Sequence, residues 1–269
     1  HLAMAKHFLR AEKNMKLAAA QFKAILKLNK KHERAAGALI GMRLKAKDWK
    51  GADKLLRKYL KQLPKSRLLM RMRSWSYVKT GKLSQAVTAY ESLLKTYPGD
   101  LWSRWQLYNV LLGKYRKGDA SIRGTLEKQT ATFLRRNRYR KGAQYRSAER
   151  TLTELRGGKK ALEIYDAINA YDMAWSSQRM RSINQQMAKA RTGFEACLKR
   201  DPNNLRCRYY MGLVYSSVKA SAHYNYKKAK AEFAKVTSGQ YATDAAVHLA
   251  RAARKEGDMT TAVNVLKKA

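Results

Sequence analysis

The sequence predicts an all-α protein built as an α-solenoid of about seven or eight helical hairpins, with almost no β-strand. Three observations lead to this fold class. Small and apolar residues recur at an interval of 34 residues, and the apolar residues within each segment follow the spacing of one helix face. All three prolines stand where such segments end, and the chain of 269 residues, 45% hydrophobic, is long enough to bury a core.

The clearest repeat pairs the segment KDWKGADKLLRKYLKQLP (47–64) with GKLSQAVTAYESLLKTYP (81–98). The matched positions are Ala52 and Ala86, Leu56 and Tyr90, Tyr59 and Leu93, Leu60 and Leu94, and Pro64 and Pro98. The same pattern is found earlier at Ala18, Phe22, Ile25 and Leu26, and later at Ala190, Phe194, Cys197, Leu198 and Pro202. Alanine allows two helices to cross closely, the aromatic residue fills the space to the next hairpin, and proline ends the helix.

The first helix of each hairpin is less regular. MGLVY at 211–215 supplies an apolar residue and a glycine, Met211 and Gly212, and then Tyr215, while RSWSY at 73–77 supplies Tyr77. The glycine position is occupied elsewhere by larger residues, namely Ile40, Ser74 and Tyr108. These departures affect the expected helix geometry but leave the fold class unchanged.

Residues 101–175 are the most degenerate part of the chain. We expect a long helix after Asp119, followed by a hairpin whose second helix carries Ala161, Tyr165 and Ile168. Later hairpins follow with Ala229 and Phe233, and with Ala262 and Leu266. The prediction is one domain over residues 1–269, with regular repeats over about 1–100 and 176–269.

The spacing of small residue, aromatic residue and proline resembles the tetratricopeptide repeat, a helix-turn-helix unit of 34 residues. The resemblance covers most of the chain and implies a right-handed superhelix whose first helices line a concave groove. By the register of that family, hairpins start at Arg67, Leu101 and Leu205. The groove residues expected from this register are Arg71, Trp75, Lys79, Trp102, Trp105, Asn109, Arg206, Tyr209 and Tyr210. The alternative for each aromatic residue is that its ring only fills space between hairpins.

The chain has 58 Lys and Arg residues against 19 Asp and Glu residues, a formal net charge of +39. Such a charge destabilises the folded chain by self-repulsion. We therefore expect an anionic partner or salt to offset it, or a deliberately altered surface to be its origin. Together with the aromatic groove, the charge predicts a non-enzymatic adaptor or scaffold, for example in signalling or secretion, that binds an acidic or mixed acidic and aromatic segment of a protein. The alternatives are nonspecific binding of nucleic acid, or of an anionic membrane or envelope polymer.

One stretch, LRRNRYRKGAQYR at 134–146, concentrates basic and aromatic residues without an acidic residue. Its basic side chains belong to Arg135, Arg136, Arg138, Arg140, Lys141 and Arg146. Interleaved arginine and tyrosine can bind phosphates and stack on bases. Because the whole chain is basic, we interpret the stretch as a local maximum at the junction between two hairpins and as a candidate contact.

Chaperone-type tetratricopeptide domains bind a C-terminal carboxylate with lysine, asparagine and arginine at fixed groove positions. The corresponding positions here hold Arg71, Trp75, Gln106, Ala143 and Ser147. That set lacks the required side chains, so binding of chaperone tails is not expected.

The sequence offers no arrangement that predicts catalysis, a cofactor or a metal site. The five histidines are scattered without an HxxxH pair, and there is no glycine-rich phosphate loop or nucleophile elbow. The two cysteines are too few for a disulfide framework and lack zinc-ligand spacing, so a reducing compartment and a cytoplasmic location are preferred. No apolar run is long enough to span a membrane, although a removed signal peptide stays compatible with the sequence.

Overall fold

The structure, a computed structural model, describes residues 2–10, 14–137 and 142–268. Within those ranges it contains fourteen α-helices, two short 3-10 helices and no β-strand, as the sequence predicts. The α-helices are α1 (Leu2–Arg10), α2 (Met15–Leu28), α3 (Glu33–Lys45), α4 (Trp49–Gln62), α5 (Arg67–Lys79), α6 (Leu83–Thr96), α7 (Leu101–Arg116), α8 (Arg123–Arg136), α9 (Ala143–Ser176), α10 (Met180–Arg200), α11 (Leu205–Ser216), α12 (Tyr226–Phe233), α13 (Ala242–Lys255) and α14 (Met259–Lys268).

Helix starts repeat with the same interval as the core residues. His32, Ser66 and Asp100 stand 34 residues apart, and the side chain of each accepts a hydrogen bond from the backbone N–H three residues later, at 3.1 or 3.2 Å. These side chains satisfy N–H groups that have no partner within the helix. The repeat therefore fixes where α3, α5 and α7 begin.

The second helices bury the residues that the 34-residue pattern identifies. Ala18, Ala52 and Ala86, on α2, α4 and α6, are inaccessible to solvent. Each is followed four residues later by a buried side chain, of which Leu56 and Tyr90 are also fully inaccessible. The predicted roles of the small and large positions are confirmed, because a small residue permits the close crossing and the large one fills the adjacent space.

The chain divides into two compact units, His1–Glu149 and Arg150–Ala269, which we call the N-terminal and C-terminal units. The N-terminal unit contains the hairpins α1/α2, α3/α4, α5/α6 and α7/α8. After Asp119, a 3-10 turn at Ala120–Ile122 precedes α8, which has 14 residues. The long helix expected after Asp119 was therefore a wrong prediction. Whether the whole chain is one domain stays a prediction.

Ala161, Tyr165 and Ile168 lie in the second segment of α9, after the backbone turns at Gly158. Arg150, before this turn, donates to both carboxylate oxygens of Asp166, after it, at 2.9 Å, so the two segments fold back on each other like the hairpin expected from the sequence. The second segment also packs against α10. A Cβ atom at Gly193 of α10 would lie 2.6 Å from the Cβ of Ala167, so the two helices cross there. The backbone of α9 turns at Gly158, where φ is 66° and ψ is −163°, a conformation that side chains other than hydrogen disfavour.

The two cysteines form a disulfide between Cys197, near the end of α10, and Cys207, in the first turn of α11. Both are buried in the core shared by α9, α10 and α11. Disulfides persist mainly in oxidising compartments. The expectation of a reducing compartment and a cytoplasmic location treated both cysteines as thiols, and the disulfide removes its basis.

Among the described residues, no helix combines the length and apolarity needed to cross a membrane.

Candidate partner-binding face

In the N-terminal unit, α3 lies beside α5, and Arg71 of α5 reaches the start of α7; we call the surface shared by these three first helices the first-helix face. Leu68 of α5 packs over Gly37 of α3, where an added Cβ atom would come within 2.6 Å of the leucine side chain. One turn further along, an added Cβ atom at Gly41 would lie 3.4 Å from the terminal methyl of Met72. Since the only acidic residue within α3, α5 and α7 is Glu33, the charged groups that these helices carry are otherwise cationic.

Arg71 joins α5 to the start of α7 on this face. Its Nε and Nη2 atoms donate to the two carboxylate oxygens of Asp100 at 2.7 and 2.5 Å. Burial raises the pKa of Asp100, but hydrogen bonds from Arg71 and Ser103 outweigh this effect and hold the pKa below its usual range. Arg71, expected as a groove contact, is thus held in place by a buried carboxylate.

Trp102 is the tryptophan of this face most available to a ligand, because 43% of its surface is exposed. The guanidinium carbon of Arg71 lies 5.3 Å from its ring centroid, within the range of a cation–π interaction. Asp100 therefore orients Arg71, and Arg71 supports the ring of Trp102. The three residues form an ordered aromatic and cationic surface at the edge of α5 and α7.

Trp75 and Lys79 form a second aromatic and cationic pair on α5. Trp75 is partly buried, its ring centroid lies 6.2 Å from that of Trp49, and it packs against the core of the N-terminal unit. The Lys79 ammonium lies 5.4 Å from the Trp75 centroid, and the lysine side chain is exposed. Trp75 thus combines the two alternatives considered for the aromatic residues, since one part of its ring is packed and another is accessible.

Trp105 packs inside its own hairpin, between α7 and α8. Its ring stacks on Tyr108 with centroids 4.8 Å apart and contacts Phe133 of α8 at 5.4 Å. One edge of Trp105 still lines a cleft of about 530 Å³, together with Trp102 and Tyr145. Asn109, one turn further along α7, is exposed.

The aromatic residues expected in the groove of the C-terminal unit are mostly packed. Tyr209 is buried and stacks on Tyr241 with centroids 4.8 Å apart, while Tyr210 is partly buried and stacks on Phe194 at 5.5 Å. Burial raises the pKa of both Tyr209 and Tyr210. Arg206, in the first turn of α11, is exposed.

The most exposed aromatic residue of the C-terminal unit is Trp175, which the sequence analysis did not identify. Its exposed fraction is 42%, and the Lys219 ammonium lies 5.0 Å from its ring centroid. Trp175 lines a pocket of about 250 Å³ with Arg251 and Lys255. The sequence signal was present as the pair Tyr171 and Trp175, four residues apart, but this segment had been assigned to a second helix.

The basic stretch 134–146 begins in the last turn of α8 and ends in the first turn of α9. Arg135 and Arg136 are exposed in the last turn of α8, and Arg146 is exposed in the first turn of α9. The remaining members, Arg138, Arg140 and Lys141, lie outside the described residues.

Within the described parts of the chain, no group of three or more His, Cys, Asp or Glu side chains is arranged to hold a metal ion.

Residues 70–100 match the sequence model of the tetratricopeptide repeat. No curated protein matches the chain. The solved structures that it resembles include a tetratricopeptide repeat protein from Parabacteroides merdae, with 13% identity, 99% of this chain and 90% of that chain covered, and a TM-score of 0.48. The type IV pilus biogenesis factor PilW has 14% identity, coverage of 87% and 90%, and a TM-score of 0.33. Yeast Tom70 has 13% identity, coverage of 99% and 67%, and a TM-score of 0.38.

Proposed function

We propose that this chain, a helical-repeat protein of the tetratricopeptide type, is a non-enzymatic scaffold that binds an acidic segment of a partner protein on its first-helix face. Tetratricopeptide repeats serve in general as protein-interaction scaffolds, because stacked hairpins present an extended surface. The observation that carries the acidic and aromatic part of the proposal is Trp102, exposed beside the oriented guanidinium of Arg71.

The chemistry of the face suits a segment that mixes carboxylates with apolar anchors. Lys79 and the exposed Arg34 and Lys45 supply positive charge, whereas the charge of Arg71 is offset by Asp100. Long-range charge increases the association rate, and packing of an apolar anchor on an aromatic ring slows dissociation. Trp102 would contact the anchor, and the lysines would pair with the flanking carboxylates.

The test is a titration of the protein with an acidic peptide containing one Phe or Leu anchor, monitored by fluorescence anisotropy at 50, 150 and 300 mM NaCl. An oligonucleotide with the same number of negative charges is titrated in parallel. The peptide is expected to keep measurable affinity at 150 mM, while binding of the oligonucleotide falls steeply with salt. Oligonucleotide binding that persists at 150 mM without peptide binding would support the nucleic-acid alternative and contradict the proposal.

Variants locate the binding surface. Trp102→Ala is expected to weaken peptide binding about tenfold without loss of helicity, as truncation of an exposed aromatic contact does. Lys79→Gln should weaken it by a smaller factor, and its control is Lys95→Gln, which removes an exposed charge from the second helix α6. Equal effects of Lys79→Gln and Lys95→Gln would mean that only net charge matters, and the first-helix face would then not be the site.

A further inference from the structure

A second groove of the N-terminal unit lies on a different side of α3 from the first-helix face. It has a volume of about 620 Å³ and is lined by α2, α3 and α4. On α3 its lining includes Leu39 and Met42, whereas Gly37 and Gly41 belong to the first-helix face. Leu39 follows Gly37 by two residues, which corresponds to about 200° around a helix axis, so the two surfaces face apart. We call this second surface the α2–α4 groove.

The walls of the α2–α4 groove are basic. Lys16, Lys23 and Lys27 follow one another along one face of α2, and Lys58 stands on the opposite wall, on α4. All four lysines are exposed, and none of them forms an ion pair with a described carboxylate. No acidic residue is among those that line the groove.

The floor of the groove is apolar. Met15, Met42 and Leu55 contribute the accessible apolar surface, since Met15 is exposed and the other two are partly buried. Methionine side chains adapt their shape to different apolar partners. A surface of accessible apolar residues bordered by charges of one sign is typical of a site that binds an amphipathic segment.

The next repeat provides an internal comparison. Its equivalent groove, of about 640 Å³, is lined by α4, α5 and α6. One repeat length after Leu55 and Lys58 it carries Ala89 and Ser92, and its α6 wall is uncharged. The α2 wall has basic equivalents on α4, namely Lys50, Arg57 and Lys61, but because the backbone architecture is the same, Leu55 and Lys58 are not required by the fold.

We propose that the α2–α4 groove binds an amphipathic helix of a partner protein, with apolar residues toward Met42 and Leu55 and acidic residues toward the lysine walls. The lysines of α2 extend over 11 residues, about 16 Å of helix axis. A bound helix running along α2 can present carboxylates at matching intervals on one of its faces. This site is separate from the one proposed for the first-helix face, and neither depends on the other.

The experiment uses an 18-residue fluorescent peptide with leucines on one helical face and glutamates on the other. A second peptide has the same composition, but its leucines do not share a face. Anisotropy titrations at 150 mM NaCl are expected to show at least tenfold tighter binding of the amphipathic peptide, because only that peptide offers a continuous apolar stripe to the floor. Equal affinities of the two peptides would overturn the proposal.

Matched variants test the lysine walls. Lys16→Gln with Lys27→Gln is expected to weaken binding of the amphipathic peptide about fivefold, since each exposed ion pair contributes modestly. The control is Lys50→Gln with Lys61→Gln, at the equivalent positions of the next repeat, where both lysines are exposed but outside the lining of either groove. The same loss in the control pair would show binding to overall charge and refute the site.

A third variant, Leu55→Ala with Lys58→Ser, replaces two groove residues with those that the next repeat carries. It is expected to weaken the amphipathic peptide about tenfold while circular dichroism stays unchanged, because the fold accepts alanine and serine at these positions one repeat later. Trp102→Ala is expected to leave this binding intact, which separates the α2–α4 groove from the first-helix face. Unchanged affinity of the Leu55→Ala, Lys58→Ser protein would refute the proposal. In a competition experiment, displacement of the bound peptide by a 12-nucleotide single strand at equal charge concentration would also refute it.

Discussion

The link between Arg71 and Asp100 predicts a stability effect that an exposed arginine would not have. The side chain of Asp100 is inaccessible to solvent, and besides the two hydrogen bonds from Arg71 it accepts bonds from the backbone N–H and the hydroxyl of Ser103 at 3.1 and 3.0 Å. Substitution of Arg71 by methionine would leave a buried carboxylate with only the two serine donors. Breaking a buried ion pair costs about 3–5 kcal/mol. Because Arg71 is itself 33% exposed, water can partly replace it, and we expect a loss of about 2 kcal/mol in the free energy of unfolding.

The assay is urea denaturation followed by tryptophan fluorescence. Four of the five tryptophans belong to the N-terminal unit, so the signal reports mainly on that unit. The matched control is Arg73→Met on the same helix, where the exposed arginine contacts Tyr77 of its own helix, and its effect is expected within about 0.5 kcal/mol. A double-mutant cycle of Arg71→Met with Asp100→Asn is expected to give a coupling energy of at least about 1 kcal/mol.

Acid titration gives an independent check of the same pair. The pKa of Asp100 is held below its usual value of 3.8 in the folded protein, so its contribution to stability is present above that usual value. The contribution is lost as the pH falls through the lower pKa of the folded state. Asp100→Asn should therefore reduce the loss of stability in the acid range below the usual pKa. Equal denaturation midpoints for Arg71→Met and Arg73→Met, with additive effects in the cycle, would refute the structural role of Arg71.

Two further predictions concern the C-terminal unit. Replacing Cys197 and Cys207 by serine removes a short cross-link and should lower the free energy of unfolding of that unit by about 2–3 kcal/mol. Adding reductant should lower the free energy of unfolding of the parent protein by a similar amount and leave that of the variant unchanged. Gly212→Ala should lower the free energy of unfolding by about 1–2 kcal/mol in thermal unfolding, because the added Cβ atom would lie 2.6 Å from the buried ring of Phe233. The control is Gly113→Ala on α7, where the added Cβ atom meets open space, and its effect should be neutral or stabilising.

The sequence predicted the parts of the fold that depend on local chemistry. The starts of α5, α7 and α11 at Arg67, Leu101 and Leu205 agree with the predicted first residues of three hairpins. The capping residue before each of them, such as Asp100 before Leu101, is part of the repeating pattern. The alanines of the second helices were also recognisable, because close helix crossing restricts those positions to small side chains.

The segment of α9 after Gly158 shows where this reasoning ends. Ala161, Tyr165 and Ile168 have the spacing of a buried helical stripe, and that spacing is shared by first and second helices. What distinguishes the two roles is the partner helix, and this segment has two partners: Asp166 pairs with Arg150 before the turn, and Ala167 meets Gly193 of α10. A contact between residues 26 positions apart cannot be read from the periodicity of one segment.

The candidate site was less predictable than the fold for a related reason. Trp102 and Trp105 stand three residues apart on α7, both at positions that the repeat register assigns to the groove. Three residues turn a helix by about 300°, so the two rings leave the axis some 60° apart. That difference places Trp105 against Tyr108 and Phe133, while Trp102 stays 43% exposed beside Arg71. The repeat register predicts which side of α7 faces a ligand, but packing against Tyr108 and Phe133 decides which ring on that side remains accessible. Substitution of Trp102 therefore tests partner binding, whereas substitution of Trp105 tests packing.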